Sequence, residues 1–423
     1  MIEKTNPKAA RIFSLLLIII AASAVYELPY IRYYYYDVMM GALGVTHTQM
    51  GTMMSVYGIV AMICYFPGGW LADRFSCRKL LAFSLAGTGL GGLYFMTFPP
   101  YVLTLALHAF WGVTTSLTFW AAMIKATRML GASKEQGKIF GILEGGRGLV
   151  PLLYSFPFLA VFNSFAVPEL GFRALVSCYS IMTIAVSILI FFFYKPVGES
   201  NAQEEQTGAV VKDIIAVVKM PGVWILSLII FSSYIMYTAQ SYITPYLTEM
   251  FGQSDSSAAF IGLIRTYFIA IFAAPLAGIF ADKIGSTART LFYAFILILI
   301  STITFKLIPA SPSYLWPVLI AMVLLAFSVF ITRGIYFAAI DALKIPLAYT
   351  GAAVGLASFV GYIPETFIYN LIGSWLDNNT GVGGYQIMFT FLVIMAVVGL
   401  ATSYILVRYV ARRTTAQDVK RSN

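Results

Sequence analysis

Ionisable side chains that could take part in chemistry occur inside long apolar segments of this chain. Hydropathy places seven of them near the middle of predicted membrane spans: Glu27, Arg32, Glu144, Arg147, Arg265, Arg333 and Glu365. A charged group at the centre of a bilayer costs about 3 kcal/mol on insertion scales, so it usually faces a cavity or a partner. No nucleophile with a neighbouring base and no cysteine–histidine cluster with metal spacing accompanies them. The sequence therefore favours a polar path through a membrane over an enzyme or a metal site.

The central set contains four arginines and three glutamates, and this excess of positive charge favours an anionic ligand. The planar guanidinium group binds phosphate, sulfonate or carboxylate groups through parallel hydrogen bonds. Arg32 is the first candidate for such a contact, and an internal pair of Arg32 with Glu27 or Glu365 is the alternative. The predicted ligand-binding residues are Tyr30, Arg32, Tyr34, Arg147, Gln240, Arg265 and Arg333.

Two glutamates are candidates for carrying a proton. A carboxyl group in apolar surroundings accepts a proton more readily than one in water, and Glu27 and Glu365 both lie in such surroundings. Glu365 is slightly preferred, and a salt bridge to an arginine of the other half of the chain is the alternative. Glu144 and Arg147 are three residues apart on one predicted helix, so a mutual ion pair is the simpler interpretation of these two residues.

The first apolar segment, Arg11 to Gly44, contains more of these candidates than any other. An uninterrupted apolar run is followed there by Pro29 and a ladder of tyrosines. Proline has no backbone N–H, so a kink at Pro29 is expected. Helical spacing places Glu27, Tyr30, Tyr34 and Asp37 on one face.

The composition is that of a membrane-embedded protein. Of the 423 residues, 60% are hydrophobic and 11% are charged, and the mean hydropathy is +0.83, whereas soluble domains are about 25% charged. Apolar stretches punctuated by Gly, Pro and charges predict twelve membrane-spanning helices. The predicted spans are 11–42, 47–73, 79–98, 101–130, 136–164, 171–195, 220–250, 256–282, 288–309, 313–345, 349–376 and 383–410.

The predicted fold is an all-α membrane protein with two pseudo-symmetric bundles of six helices. Residues 1–195 form the first bundle and residues 220–423 the second. Residues 196–219 begin polar and acidic and end with apolar residues set against charged ones. They predict a cytoplasmic linker that carries a short helix on the membrane surface.

Basic residues are distributed unevenly between alternate loops. If both termini are cytoplasmic, the inward segments hold 20 of the 27 basic residues and the outward loops hold 2. The positive-inside rule then predicts cytoplasmic termini and an even number of spans, in the plasma membrane or, in a bacterium, the inner membrane. This placement accounts for the net charge of +9 without nucleic acid as a partner.

The two halves of the chain carry repeated patterns. Residues 120–128, WAAMIKATR, align with residues 336–344, YFAAIDALK. A second pattern follows the second and eighth spans, as GWLADRFSCRK at residues 69–79 and GIFADKIG at residues 278–285. The paired pattern resembles the G-x-L-A-D-R-x-G-R-K signature of the major facilitator superfamily, and with the duplicated spans the resemblance covers essentially the whole chain. The first copy departs from the signature at Ser76 and Cys77.

The resemblance implies a transporter that works by alternating access, with a gate at the repeated pattern. It assigns the gating role to Asp73 and Arg74. Lys125 and Asp341 occupy matched positions in the other repeat and suggest facing charges at the inner mouth. The predicted gating residues are Gly69, Asp73, Arg74, Lys125, Gly278, Asp282 and Asp341.

A weaker resemblance concerns Tyr30-Ile-Arg32, which is similar to the organophosphate and anion antiporter branch of the superfamily. In that branch an arginine of the first span binds the phosphate, and a symmetry-related arginine lies in the seventh span. The seventh span of this chain has Gln240 and tyrosines instead. Arg265 or Arg333 are the candidates to replace the missing arginine.

The sequence thus predicts secondary transport of a small, sugar-like organic anion that is phosphorylated, sulfonated or carboxylated, by proton symport or anion exchange. A proton-driven exporter of cationic or amphipathic compounds is the alternative within transport, and a non-transporting membrane sensor or scaffold is the alternative outside it. No nucleotide-binding loop pattern occurs, so neither ATP nor another cofactor is expected. The expected partners are the small-molecule substrate, a coupled proton and the lipid bilayer, and the resemblance implies a monomer.

Overall fold

A computed structural model describes residues 7–130, 136–195, 215–346 and 349–422 of the chain. These residues are almost entirely helical, and none of the four ranges contains a strand, so the predicted all-α class is confirmed. The helices are α1 Pro7–Glu27, α2 Tyr36–Leu43, α3 His47–Arg74, α4 Cys77–Phe95, α5 Tyr101–Gly112, α6 Ala121–Arg128, α7 Gln136–Asn163, α8 Pro168–Phe193, a short α9 at 215–218, α10 Pro221–Ala239, α11 Ile243–Phe251, α12 Asp255–Leu263, α13 Ile269–Ile284, α14 Thr287–Leu307, α15 Leu315–Ile335, α16 Ala339–Ala342, α17 Thr350–Tyr362, α18 Ile368–Asn378 and α19 Val382–Ser422.

The described residues contain ten helices, some of them running across short irregular turns, that are long and apolar enough to cross a membrane. An eleventh is added if the two parts of α3, which meet at 54° beside Pro67, count as one span. The third predicted span corresponds to α4, which is outside this set. Arg78 and Lys79 in its first turn and several glycines lower its hydropathy. The predicted number of twelve spans therefore stays a prediction.

The chain divides into two compact units. Unit 1 comprises residues 1–203 and 254–263, and unit 2 comprises residues 204–253 and 264–423. The predicted linker at 196–219 lies outside the described residues from 196 to 214, and of its last residues 215–218 are helical. The predicted boundaries of the bundles and of the linker stay predictions.

The core of unit 1 is built around α1, α4, α7 and α8. The helices α4 and α8 run antiparallel and lie close together. Between them, Ser187 Oγ donates a hydrogen bond to the Ala82 carbonyl at 2.6 Å. At Gly92 an added Cβ would lie 2.2 Å from Ser180 Oγ, so only glycine permits this approach. The tight contact fixes α8 as one wall against which α1 packs.

Unit 2 has a comparable close contact between α10 and α17. An added Cβ at Gly361 would lie 2.3 Å from Ile230 Cγ2 of α10. The backbone of α17 therefore approaches α10 at the turn before Tyr362. This approach positions the polar end of α17 against the tyrosines of α10.

The first predicted span is a broken helix and not one kinked helix. The helix α1 ends at Glu27, a 3-10 turn follows at Ile31–Tyr33, and α2 begins at Tyr36. Since Pro29 has no N–H to donate, the regular ladder of hydrogen bonds is interrupted there. The next amides bond over three residues, as Tyr33 N–H does to the Tyr30 carbonyl at 2.9 Å.

This break corrects one expectation from the sequence. Residues 28–35 are not α-helical, so helical spacing does not carry one face from Glu27 to Tyr34 and Asp37. Proline interrupts the helix here instead of bending a continuous one.

Other predicted spans are interrupted in the same way. The interruptions are 3-10 turns at Gln240–Tyr242, Tyr336–Ala338 and Ile363–Thr366, and π-helical segments at Val113–Trp120 and Ile264–Phe268. Arg32, Gln240, Arg265 and Glu365 all lie in interrupted segments. Irregular backbone within membrane spans often marks functional sites.

The α10–α17 contact gives a first prediction. Changing Gly361→Ala should lower the melting temperature of the detergent-purified protein by several degrees, because overpacking costs about 1–3 kcal/mol. Gly355→Ala, on the same helix, is the matched control, since its added Cβ would meet no atom within 4 Å. A Gly361→Ala protein as stable as the Gly355→Ala protein would contradict the described approach of the two helices.

Candidate functional site

Unit 1 contains a buried carboxylate at the C-terminal end of α1. Glu27 is 2% exposed, and its Oε1 accepts a hydrogen bond from the Tyr154 hydroxyl of α7 at 2.9 Å. The Tyr154 ring in turn lies edge-on to the Tyr179 ring of α8, with 6.0 Å between the ring centroids. Glu27 is therefore held where α1, α7 and α8 meet, and its carboxylate faces phenol groups.

Arg32 connects the break of the first span to α3. Its Nη1 donates a hydrogen bond to the Met50 carbonyl at 3.2 Å, and its Cζ lies 4.9 Å from the centroid of the Tyr36 ring. The Tyr36 hydroxyl lies 3.0 Å from His47 Nδ1 at the start of α3. Since Arg32 is 1% exposed, its geometry fits a residue that holds the broken segment in place.

The two predicted tyrosines of this segment differ in their surroundings. Tyr30 is half-buried, and its ring lies edge-on to Tyr57 of α3 at 5.3 Å between centroids. Tyr34 is fully packed and lies 6.2 Å from the ring of Tyr35. Tyr30 is therefore the more accessible of the two predicted contacts.

The ion pair expected from the spacing of Glu144 and Arg147 is present. Arg147 Nη1 donates to Glu144 Oε1 at 2.8 Å on α7. The guanidinium carbon also lies 5.6 Å from the Tyr26 ring and 5.7 Å from the Trp120 ring. The positive charge of Arg147 is thus balanced within unit 1.

The predicted gating residues of unit 1 form a local contact at the end of α3. Lys125 Nζ donates to the Ala72 carbonyl at 2.7 Å and lies 3.6 Å from Asp73 Oδ1, while the Arg74 guanidinium lies 4.2 Å from the Trp70 ring. The two contacts of Lys125 therefore link α6 to the end of α3.

The glycines and acids of the repeated pattern complete this description. An added Cβ at Gly69 or Gly278 would meet no atom within 4 Å, whereas at Gly68 it would lie 2.9 Å from the Ser116 carbonyl oxygen. At the start of the repeated pattern in unit 1, the neighbour Gly68 and not Gly69 is therefore the glycine that allows a close approach. In unit 2, Asp282 in the last turn of α13 and Asp341 in α16 are both exposed.

Two of the predicted binding residues of unit 2 are buried in interrupted segments. Arg265 is 1% exposed and its Nη1 donates to Thr244 Oγ1 of α11 at 3.4 Å. Gln240 is 4% exposed, and its buried Nε2 has no hydrogen-bond partner among the described residues. The Gln240 amide therefore has a donor available in the segment that matches the break of the first span.

The other two predicted residues of unit 2 lie together with four tyrosines. Three helices each contribute two residues that are three positions apart, which places each pair on one helical face. The pairs are Tyr234 and Tyr237 from α10, Arg333 and Tyr336 from the end of α15 and the following turn, and Tyr362 and Glu365 from the end of α17 and the following turn. We refer to Tyr234, Tyr237, Tyr336 and Tyr362 as the tyrosine cluster.

Arg333 is surrounded by the tyrosine cluster. Its Cζ lies 3.8 Å from the centroid of the Tyr237 ring and 5.7 Å from that of Tyr234. The Tyr336 and Tyr362 hydroxyls lie 3.1 Å apart. The Nη1 of Arg333 is buried and has no hydrogen-bond partner within the described part of the chain.

Glu365 is attached to the same cluster through one tyrosine. The Tyr234 hydroxyl donates a hydrogen bond to Glu365 Oε2 at 2.9 Å. The Tyr234 ring packs 4.8 Å from the Tyr362 ring. Tyr234 therefore contacts Glu365 through its hydroxyl group, and its ring lies beside Arg333.

Sequence reasoning missed Tyr154 as the partner of Glu27 and Tyr234 as the partner of Glu365. Each tyrosine lies more than 120 residues from its glutamate in the chain. Local periodicity carries no signal for such pairs. The one available hint for Tyr234 was its spacing of three residues from Tyr237, which marks a polar face on an otherwise apolar helix.

These features define a multi-pass membrane protein whose broken helices carry buried arginines, glutamates and tyrosines. A family model described as the Major Facilitator Superfamily matches residues 12–367. The chain belongs to this superfamily of membrane transporters, and it is therefore a transporter and not an enzyme. Such a transporter has a small-molecule substrate and works in a membrane.

Two relatives from Escherichia coli strain K12 match nearly the whole chain. Inner membrane protein YihN is 34% identical over 95% of this chain and 96% of its own length. Inner membrane protein YqcE is 31% identical over 96% of both chains.

Solved structures show the same fold at low sequence identity. The nucleoside transporter NupG, as a point mutant, has a TM-score of 0.71 at 13% identity, with 96% of this chain and all of that chain covered. A bacterial homolog of the human lysosomal transporter Spinster, in an inward-facing and unoccupied conformation, has a TM-score of 0.69 at 13% identity, with 97% and 98% covered.

The buried acid of unit 1 gives a second prediction. Tyr154→Phe removes the hydroxyl that donates to Glu27, so a buried carboxylate oxygen loses a partner at a cost of about 1–3 kcal/mol. The melting temperature of the purified protein should fall by several degrees. Tyr94→Phe, at an exposed tyrosine, should leave it unchanged, and equal effects of the two changes would argue against the Tyr154–Glu27 contact.

Proposed function

We propose that the protein is a secondary active transporter of a small organic anion and that Arg333 contacts the anionic group. The observation that carries this proposal is the buried Arg333 Nη1, which has no hydrogen-bond partner among the described residues. An unsatisfied buried donor costs about 1–3 kcal/mol, and more if it is charged. An oxyanion bound there would remove this cost and form a charge-assisted hydrogen bond.

The other predicted arginines have oxygen partners in the protein. Arg147 pairs with the Glu144 carboxylate at 2.8 Å, and Arg32 donates to the Met50 carbonyl at 3.2 Å. Arg265 donates to the Thr244 hydroxyl. Arg333 is therefore a candidate for the anion contact beside Arg32, which the sequence alone favoured.

The surroundings of Arg333 fit an organic anion with hydroxyl groups. Tyrosine rings pack against carbon–hydrogen surfaces, and their hydroxyls exchange hydrogen bonds with polar substituents. The Tyr336 and Tyr362 hydroxyls lie 3.1 Å apart within the tyrosine cluster and are groups that can both donate and accept hydrogen bonds. This supports a sugar-like solute that carries a phosphate, sulfonate or carboxylate group.

Arg333 supports an anionic solute over a cationic one, because its buried Nη1 lacks an acceptor among the described residues. The hydrogen bond from the Tyr234 hydroxyl to Glu365 Oε2 places a carboxyl group beside the tyrosine cluster. We infer that Glu365 is the proton-coupling residue, with Glu27 as the other candidate, and that transport proceeds by proton symport or anion exchange.

Alternating access is proposed to involve the repeated pattern. The contact of Lys125 with Asp73 and the Ala72 carbonyl holds the ends of α3 and α6 together. We propose that this contact forms and breaks during the cycle, together with the matching positions of unit 2. The gate then comprises Gly69, Asp73, Arg74, Lys125, Gly278, Asp282 and Asp341.

The location and assembly are also proposals. The relatives YihN and YqcE are inner membrane proteins, and this supports the inner membrane of a bacterium as the site of action. The 20-to-2 distribution of basic residues supports cytoplasmic termini. Because the chain belongs to this superfamily, we propose that the protein works as a monomer in the lipid bilayer, without nucleic acid or a cofactor.

The anion contact gives a third prediction. The melting temperature of the wild-type protein is measured with a panel of phosphates, sulfonates, carboxylates, neutral sugars and cationic drugs. An anion that binds, at about 100 times its dissociation constant, should stabilise the folded protein by about 2.7 kcal/mol and so raise the melting temperature. Arg333→Gln should abolish the shift, and Arg333→Lys should keep only part of it, because lysine lacks the planar fork.

Arg173→Gln is the matched control for this experiment. Its guanidinium also lies over an aromatic ring, 4.9 Å from the Phe98 centroid, and it is exposed in unit 1. The control should retain the full shift. A shift that survives in Arg333→Gln would remove Arg333 from the site, and stabilisation by cationic compounds alone would favour the exporter.

Proton coupling gives a fourth prediction. In proteoliposomes with an inward proton gradient, the wild type should accumulate the labelled anion, while Glu365→Gln should only equilibrate or exchange it, because glutamine cannot carry a proton. Glu27→Gln is measured in parallel and should still accumulate. If Glu365→Gln accumulates the anion as the wild type does, Glu365 is not the coupling residue.

A further inference from the structure

We infer that unit 1 carries a binding site for a hydroxylated ring of the solute, formed by Glu144, Arg147 and the aromatic rings of Tyr26 and Trp120. Hydroxyl groups of the solute hydrogen-bond to the charged pair there, and one carbon–hydrogen face of its ring packs on Trp120. This inference rests on the proposed transport of a sugar-like anion, and it uses residues of unit 1 alone.

The first observation is that a charged pair is exposed inside a membrane span. Glu144 and Arg147 belong to the apolar helical segment Ile139–Asn163, and their side chains are 61% and 23% exposed. Charged groups at such a depth face a cavity or a partner and not lipid. The exposed part of the Glu144 carboxylate therefore faces a water-filled space, where a polar solute can reach it.

The helix leaves room for a ligand beside this carboxylate. Gly141 lies three residues before Glu144, on the same face of α7. A Cβ added to Gly141 would meet no atom within 4 Å. The face of α7 that carries the exposed carboxylate is thus open at this point.

The second observation is that aromatic rings flank the same pair. The Arg147 Cζ lies 5.6 Å from the centroid of the Tyr26 ring and 5.7 Å from that of Trp120. Both aromatic side chains are partly exposed, and the exposed Tyr65 ring of α3 lies 6.3 Å from the Trp120 ring. Trp120 also ends a π-helical segment, and such segments are frequent at functional sites. An accessible aromatic surface therefore adjoins the charged pair.

The chemistry of the pair favours hydroxyl groups. An ionised glutamate offers only acceptors and an arginine only donors, and Arg147 Nη1 lies 2.8 Å from Glu144 Oε1. A hydroxyl group both donates and accepts, so neighbouring hydroxyls of a sugar can bind to both side chains at once. An oxyanion has no proton to donate to Glu144, and an ammonium group has no acceptor for Arg147. The adjoining Trp120 ring offers apolar surface to the carbon–hydrogen face of the same ring.

Pairs of anions that differ in their hydroxyl groups test this inference. Glucuronate and cyclohexanecarboxylate both carry a carboxylate on a six-membered ring, and only glucuronate has hydroxyls on that ring. Glucose 6-sulfate and cyclohexylmethyl sulfate form a second pair. We would measure dissociation constants with the full-length, detergent-purified protein and compare the two members of each pair. Because the members of a pair have equal charge, a general change in electrostatics cancels in the ratio of their dissociation constants.

In the wild type, the hydroxylated member of at least one pair should bind about tenfold or more tightly than its partner. Equal affinities within both pairs would overturn the inference while leaving the proposed anion transport intact. If none of the four anions binds, the proposed function falls and this inference falls with it.

The role of the aromatic surface is tested at Trp120. Trp120→Ala should weaken binding of the hydroxylated anion about fivefold or more, whereas Trp120→Phe keeps a ring and should retain most of the affinity. Trp316→Ala, at an exposed tryptophan of unit 2, is the matched control and should bind as the wild type does. An unchanged affinity in Trp120→Ala would remove Trp120 from the site.

A change at Glu144 tests the role of the carboxylate. Glu144→Gln should reduce the preference for the hydroxylated anion to about threefold or less, because an amide accepts weaker hydrogen bonds than a carboxylate. Glu169→Gln, an equal change at an exposed position in the first turn of α8, should leave the preference unchanged. Each variant is first checked for a wild-type melting temperature without ligand. A preference that Glu144→Gln leaves intact would contradict the assignment of the hydroxyl contacts to this residue.

Water access to the pair is tested without a ligand. In proteoliposomes, Glu144→Cys should react with a membrane-impermeant methanethiosulfonate present on both sides, above the background of the three native cysteines. Leu153→Cys is the control and should not react, because Leu153 is an exposed apolar residue on the opposite face of α7 by helical spacing. A Glu144→Cys protein as unreactive as the Leu153→Cys protein would overturn the inference.

Discussion

Backbone and charged groups inside a membrane must find their partners within the protein, because lipid hydrocarbon offers none. This constraint is most demanding where a spanning helix is interrupted. In the first span, the residues after Pro29 form a 3-10 turn that Arg32 ties to the Met50 carbonyl of α3. In the eighth span, Arg265 lies in a π-helical segment and donates to Thr244. The two buried guanidinium groups thus support the irregular backbone of their own units.

The same constraint applies to Arg333, which lies among tyrosine rings. Its guanidinium lies over the Tyr237 ring at 3.8 Å, and its Nη1 lacks an acceptor among the described residues. A cation–π contact is worth about 0.5–2 kcal/mol and does not replace a hydrogen bond. A buried donor that the protein leaves unsatisfied is suited to a ligand that arrives and departs. The neighbouring Tyr234–Glu365 hydrogen bond brings a proton acceptor to the same place.

Much of this architecture was predictable from the sequence. Hydropathy located the spans, since burial in lipid requires long apolar segments, and the repeated Gly-x-x-Ala-Asp pattern indicated the superfamily. The positions of Arg333 and Glu365 near the middle of predicted membrane spans placed both residues among the candidate site residues. The pairing of Glu27 with Tyr154, and of Glu365 with Tyr234, was not predictable, because contacts between distant helices leave no local periodicity. The sequence also predicted only a kink at Pro29, whereas α1 ends at Glu27 and a 3-10 turn follows at Ile31–Tyr33.

The most direct test of the central claim is a structure of the protein determined with a stabilising anion bound. The account predicts an oxygen of the anion within hydrogen-bond distance of Arg333 Nη1, with its carbon skeleton against the tyrosine cluster. An anion bound at Arg32 or Arg147, with Arg333 still over Tyr237 and Nη1 without an acceptor, would contradict it.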